Sequence, residues 1–179
     1  TALPPEIGQI TALTSLRLSN TKTATLPPEI GLLKNLKELL LSYTEIEELP
    51  QEIGQLTTLE KLDLSKTKIS TLPQEIGQLV ALKSLILLDT GIDQLPYIGQ
   101  LTKLINLLLS RSKIKQLPSG IGKLTHLKRL DVWDTKIQVI PPEIGQLVAL
   151  TSFILSNTEI AELPKEIGQL RNLERLDLS

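Results

Sequence analysis

Two rhythms of apolar residues alternate along this chain. In Leu59-Glu60-Lys61-Leu62-Asp63-Leu64-Ser65 they alternate with polar ones, the period-two pattern of a half-buried strand. Leu62 and Leu64 are expected to point inward and Lys61, Asp63 and Ser65 outward. Further on, Leu72-Pro73-Gln74-Glu75-Ile76-Gly77 predicts a short helical or 3-10 turn. Proline suits a first turn, where its missing N–H is not needed. Glutamate two residues later sits near the positive end of the turn. Gly77 is expected to supply a backbone sign change that returns the chain to the next strand.

The same unit recurs about eight times with a full period of 23 residues, starting at Leu3, Leu26, Leu49, Leu72, Leu95, Leu117, Ile140 and Leu163. Eight of the ten glycines occupy one position of it and eight of the eleven prolines another. A fixed period of this length means stacked supersecondary units in one elongated domain, spanning residues 1–179. The fold class is therefore α/β: parallel strands ~4.8 Å apart form one wall and short helical or 3-10 turns the other. The bulkier helical side splays, so the sheet becomes the concave wall of an arc.

Composition narrows this picture. Apolar residues make up 41% of the chain but aromatics only 2%, so the core is Leu and Ile of nearly uniform size. Formal charge is −1, from 19 basic and 20 acidic residues, read as spread along the length. That balance points away from nucleic acid or an anionic membrane as partner. No apolar run is long enough to span a bilayer. Zero cysteines excludes disulfides and thiolate metal sites, and tilts the expected setting toward the cytoplasm.

Thr21, Thr44, Thr67, Thr90, Ser112, Thr135 and Thr158 share one position just after the strand. In-register hydroxyls predict a structural ladder donating to backbone carbonyls of adjacent turns, because buried hydroxyls need partners.

The strand segment Leu59-x-x-Leu62-x-Leu64-x-x-Thr67-x-Ile69 resembles the L-x-x-L-x-L-x-x-N-x-L signature of the leucine-rich repeat family. The 23-residue length and the Leu-Pro-x-Glu-Ile-Gly-x-Leu segment are similar to its intracellular plant and Ras-binding class, and to bacterial repeat proteins. Threonine in the asparagine position looks like the repeats of plant nucleotide-binding immune receptors. The resemblance implies a horseshoe that binds proteins on its concave sheet.

Three departures stand out. The fifth repeat, Leu95-Pro96-Tyr97-Ile98-Gly99, is one residue short and lacks its glutamate, read as a tolerated deletion on the outer surface. Thr23 holds the place of Ile46, Ile69, Ile92, Ile114, Ile137 and Ile160, which weakens one core layer. Neither terminus carries a capping sequence, so the chain is expected to be an excerpt of a longer protein, and its bare ends are expected to favour end-to-end self-stacking.

Outward strand positions are free to vary. One row holds Arg17, Leu40, Asp63, Ile86, Leu108, Asp131, Ile154 and Asp177; the next is serine except at Leu88 and Trp133. The fourth to sixth repeats thus offer Ile86, Leu88, Ile105, Leu108 and Trp133, bordered by Arg111, Arg129, Asp131 and Asp134. An apolar patch with an aromatic anchor and a charged rim has the make-up of a protein contact. Other candidates fail. Ser119-Gly120-Ile121-Gly122-Lys123 lacks the Ser or Thr that a phosphate loop needs after its lysine, and Leu117 replaces the earlier glycine. His126 is the sole histidine, in a surface slot of a turn. Asp63 and Asp131 lie three coils apart, roughly 14 Å, too far for an acid–base pair. The outer glutamates Glu6, Glu29, Glu52, Glu75, Glu143 and Glu166 form one row and converge poorly on a calcium ion. The expectation is a recognition module for a protein partner, part of a larger receptor or scaffold, with no enzymatic activity, metal or cofactor. The competing reading is a rigid spacer array without a ligand.

Overall fold

The computed structural model describes residues 2–179, Ser119 through its backbone alone. Thr1, the first residue of the expected domain, and the Ser119 side chain lie outside the described residues. Eight three-residue strands, β1 (Ser15–Arg17), β2 (Glu38–Leu40), β3 (Lys61–Asp63), β4 (Ser84–Ile86), β5 (Asn106–Leu108), β6 (Arg129–Asp131), β7 (Ser152–Ile154) and β8 (Arg175–Asp177), form one open parallel sheet in chain order. Register is strict: Leu39, Leu62, Leu85, Leu107, Leu130 and Phe153 pair successively and are fully buried. The backbone ladder continues past each strand. Leu64 N–H donates to Ile86 O, and Lys66 N–H to Leu88 O.

Behind the sheet runs a row of short 3-10 turns, such as Gln51–Gln55 and Gln74–Gln78. The motif proline stands just before each turn, not inside it: Pro50 holds φ −65° and ψ 149°, and its carbonyl accepts Ile53 N–H at 3.0 Å. The ring's fixed φ thus presets the entry to the turn.

One expectation about the backbone is corrected. None of the glycines has a positive φ. The motif glycine instead permits close stacking: a Cβ on Gly54 would lie 2.7 Å from Glu75 O and 2.8 Å from Glu75 Cβ. The sign change falls at Asn20, Tyr43, Lys66, Asp89, Arg111, Asp134 and Asn157, with φ between 54° and 62°. For an L residue that conformation costs roughly 1–2 kcal/mol. The ladder bond to the next coil holds it, as when Arg111 N–H donates to Trp133 O at 2.9 Å.

The hydroxyl row is structural, but its bonds run within each turn, not between turns. Thr44 Oγ1 donates to Leu41 O at 2.7 Å and Thr67 Oγ1 to Leu64 O at 2.7 Å; Thr21, Thr90, Thr135 and Thr158 repeat the pattern. Ser112 departs from it. Its backbone N–H takes the Leu109 carbonyl, and its buried Oγ has no partner among the described residues. Thr23 is buried, and its hydroxyl is satisfied by Thr21 Oγ1 at 2.8 Å.

The short fifth repeat has no 3-10 turn, yet Ile98 remains fully buried and Leu101 N–H still donates to Ile98 O. Tyr97 lies over the neighbouring coil. A Cβ on Gly120, where most repeats carry glutamate, would lie 2.9 Å from the ring's Cε2. Tyr97 of the shortened repeat thus fills the space that a side chain at position 120 would need.

Candidate functional site

Strand pairing sets Ile86, Leu108 and Asp131 side by side on the outward face. The ladder beyond the strands carries Leu88, Ser110 and Trp133 in the adjoining row. Trp133 is 39% exposed, while Ile86, Leu88 and Leu108 are half-buried. Ile105 is not part of this group. It precedes β5, its N–H donates to Lys83 O, and its carbonyl accepts Lys128 N–H, which places it in the Lys83–Lys128 row at the strand-entry edge.

The charged rim divides into fasteners and free groups. Asp131 was expected to border the patch; instead it is 8% exposed and accepts from Trp133 N–H at 3.2 Å, Arg129 Nη2 at 3.1 Å and Ser110 Oγ. In β3 the equivalent Asp63 binds Ser65 N–H and Oγ of its own coil. Trp133 has no hydroxyl, so Asp131 takes the serine of the preceding repeat. The expected outward serines Ser65, Ser110 and Ser156 are buried beside these neighbours. Arg111 reaches Asp89 Oδ2 at 2.6 Å and sets its guanidinium 5.3 Å from the Trp133 ring centroid. Asp134 accepts from Asn157 Nδ2. A carboxylate thus ties down the Trp133 backbone, and an arginine lies over the face of its indole.

The rest of the surface is less organised. A groove of about 400 Å³ at the strand-entry edge is lined by Lys37, Glu38, Glu60, Lys61 and Lys83. The hydrogen bond from Lys83 holds the Glu60 carboxyl below its usual range. Ser15 and then Arg17 do the same for Glu38. His126 Nδ1 lies 3.0 Å from Thr102 O, the slot in which Asn35, Thr58 and Asn172 bond the carbonyls of Thr11, Lys34 and Val148. Among the described residues no cluster of His, Cys, Asp or Glu could hold a metal ion.

Tyr43, 52% exposed with Lys66 4.7 Å from its ring centroid, was not anticipated as a surface aromatic. Nor was a concentration of charge. Repeats five and six, residues 95–139, hold eight of the 19 basic residues and two of the 20 acidic ones. They carry +6 and the remainder of the chain −7. The whole-chain balance conceals this, and a count per repeat exposes it.

Profiles of two families match nearly the whole length: a leucine-rich repeat region over residues 59–133 and 93–179, and a leucine rich repeat over 11–69. The chain belongs to the leucine-rich repeat family. Among solved structures, this leucine-rich repeat chain is similar to a leucine-rich repeat protein of Leptospira interrogans, with 39% identity and a TM-score of 0.94, covering 99% of this chain and 45% of that one. It is also similar to the plant peptide hormone receptor RGFR1 in complex with RGF2, with 32% identity, a TM-score of 0.86, and coverage of 99% and 30%. An internalin of Listeria monocytogenes shows 25% identity, a TM-score of 0.85, and coverage of 99% and 51%. The chain thus spans about half or less of the length of these proteins. No curated protein sequence matches it. Among the described residues no helix is long and apolar enough to cross a membrane.

Proposed function

We propose that the chain is a protein-recognition module of a larger receptor or scaffold, and that it binds its partner on the outward sheet face of repeats four to six. The observation that carries this reading is Trp133: a large exposed aromatic whose backbone is tied to Asp131 and whose ring lies under Arg111, on the same outward face as Ile86, Leu88 and Leu108. Exposed but immobilised aromatics lose little entropy on binding and recur among interface hot spots. The resemblance to a receptor solved with its bound partner supports the same reading. Arg129 and Asp131 position the anchor; Arg111 and Asp134 form the rim; Ile105 serves the neighbouring edge.

The test is site-specific photocrosslinking in the full-length protein, with the photoreactive residue at 133 and, separately, at outer position 52. A discrete polypeptide captured from 133, absent from 52 and lost with Ile86→Asp supports recognition. Equal capture from both positions supports a spacer array instead.

A further inference from the structure

The charge of repeats five and six bears on what kind of polypeptide that face takes. Of the eight cations there, Arg111 and Arg129 are neutralised by Asp89 and Asp131. The other six are exposed lysines: Lys103 acts on the Glu60 carboxylate, and the remaining five form no ion pair among the described residues. Lys113 and Lys136 occupy successive coils, two residues beyond Arg111 and Asp134; their N–H groups donate to Ile92 O and Ile114 O. Lys115 follows Lys113 along the same edge. In the second and third repeats the equivalent row is Glu45 paired with Lys68, followed by Glu47 and Glu48. Successive lysines in this row therefore fall beside the Trp133 face, between Gly91 of the fourth repeat and Glu159 of the seventh.

We infer that the partner is an acidic polypeptide segment. It lays an apolar side chain on Ile86, Leu108 and Trp133, and its carboxylates reach Lys113, Lys115 and Lys136. This rests on the reading of the Trp133 face given above. Complementary charge of this kind speeds encounter and fixes register. Nucleic acid fits the face less well, because Asp89 and Asp134 stand among the cations and Trp133 is its one exposed aromatic among the described residues. An alternating polypeptide meets both the apolar centre and the cationic edge.

The experiment measures fluorescence anisotropy of a labelled peptide of alternating glutamate and leucine, a lysine–leucine counterpart, a serine–leucine counterpart and a thymidine oligomer. Trp133, the sole tryptophan, gives a second readout at the site. The glutamate peptide is expected to bind best, and to weaken about tenfold both in Lys113→Glu/Lys136→Glu and on raising salt. Lys113→Gln/Lys136→Gln, which adds no repulsion, should lose less. Equal or tighter binding of the lysine peptide, full affinity in the charge-reversed protein, preference for the oligomer, or no binding by any peptide each overturns the inference. Charge-dependent binding that ignores Trp133→Ala keeps the acidic partner and sinks the Trp133 face. Binding of the serine peptide that needs Trp133 but ignores the lysines does the reverse.

Discussion

Repeats two to four and repeats five to six share one inner surface and differ almost everywhere else. Leu39, Leu62, Leu85, Leu107 and Leu130 are interchangeable in register and burial, as are Ile53, Ile76, Ile98 and Ile121. On the outside, the earlier repeats carry regular 3-10 turns with a glutamate row, whereas the fifth has no such turn and the sixth places Gly120 under Tyr97. On the sheet, serine gives way to Trp133, and the charge turns from mixed to positive. Each coil borrows its core from its neighbours, so the inward rows are constrained and the outward rows are free. Departures on the free surfaces can gather in one place without disturbing the stack.

The strongest challenge to this separation is in the core. Ile53→Ala should destabilise by about 2–5 kcal/mol, the usual cost of emptying a fully buried isoleucine site. Ile98→Ala should cost the same within error, although its repeat is short and lacks the 3-10 turn. Urea unfolding of both variants checks this. A loss at Ile98 under half that at Ile53 would show that the deletion loosens the interior, and the two regions would then differ inside as well.

Much of this was legible in the sequence because the constrained rows repeat. Strand positions, inward leucines, the proline-led outer turn and the hydroxyl row all follow from counting the period. Besides the course of the hydroxyl bonds, the exposed Tyr43 and the clustered charge, three matters escaped it. Glycine at a turn suggests a positive φ, but close approach also demands glycine, and only the neighbouring coil shows that Gly54 faces Glu75. Asp131 reads as a surface charge because Asp63 and Asp177 hold the same position, yet its three donors come from its own coil and the preceding one. Ile105 reads as part of the face by nearness in sequence; its place before β5, in the Lys83–Lys128 row, moves it to the edge.

A smaller effect sharpens the comparison on the outer side. Gly120→Glu restores the residue found in most other repeats, but its Cβ meets the Tyr97 ring at 2.9 Å. The expected cost is about 1–3 kcal/mol from overpacking. In a Tyr97→Ala background the same change should cost under about 0.5 kcal/mol, since the ring is what it strikes, giving a coupling above about 1 kcal/mol. An unchanged cost in that background would detach the fifth repeat's deletion from the sixth repeat's glycine.

The smallest contrast lies in the hydroxyl row. Thr67→Val keeps the shape but removes the donor to Leu64 O, a bond of 2.7 Å in a buried setting, and should cost about 1 kcal/mol. Ser112→Ala removes an oxygen that is buried with no hydrogen-bond partner among the described residues, in a turn where the residue's own N–H donates to the Leu109 carbonyl. Deleting an unsatisfied buried hydroxyl relieves its desolvation penalty, so the change should be neutral or stabilising by up to about 1 kcal/mol. Thermal unfolding of the pair, with Thr135→Val as a sixth-repeat control, separates the two cases. If Ser112→Ala costs as much as Thr67→Val, the fifth repeat carries the same ladder as its neighbours, and its departure is confined to the outer turn.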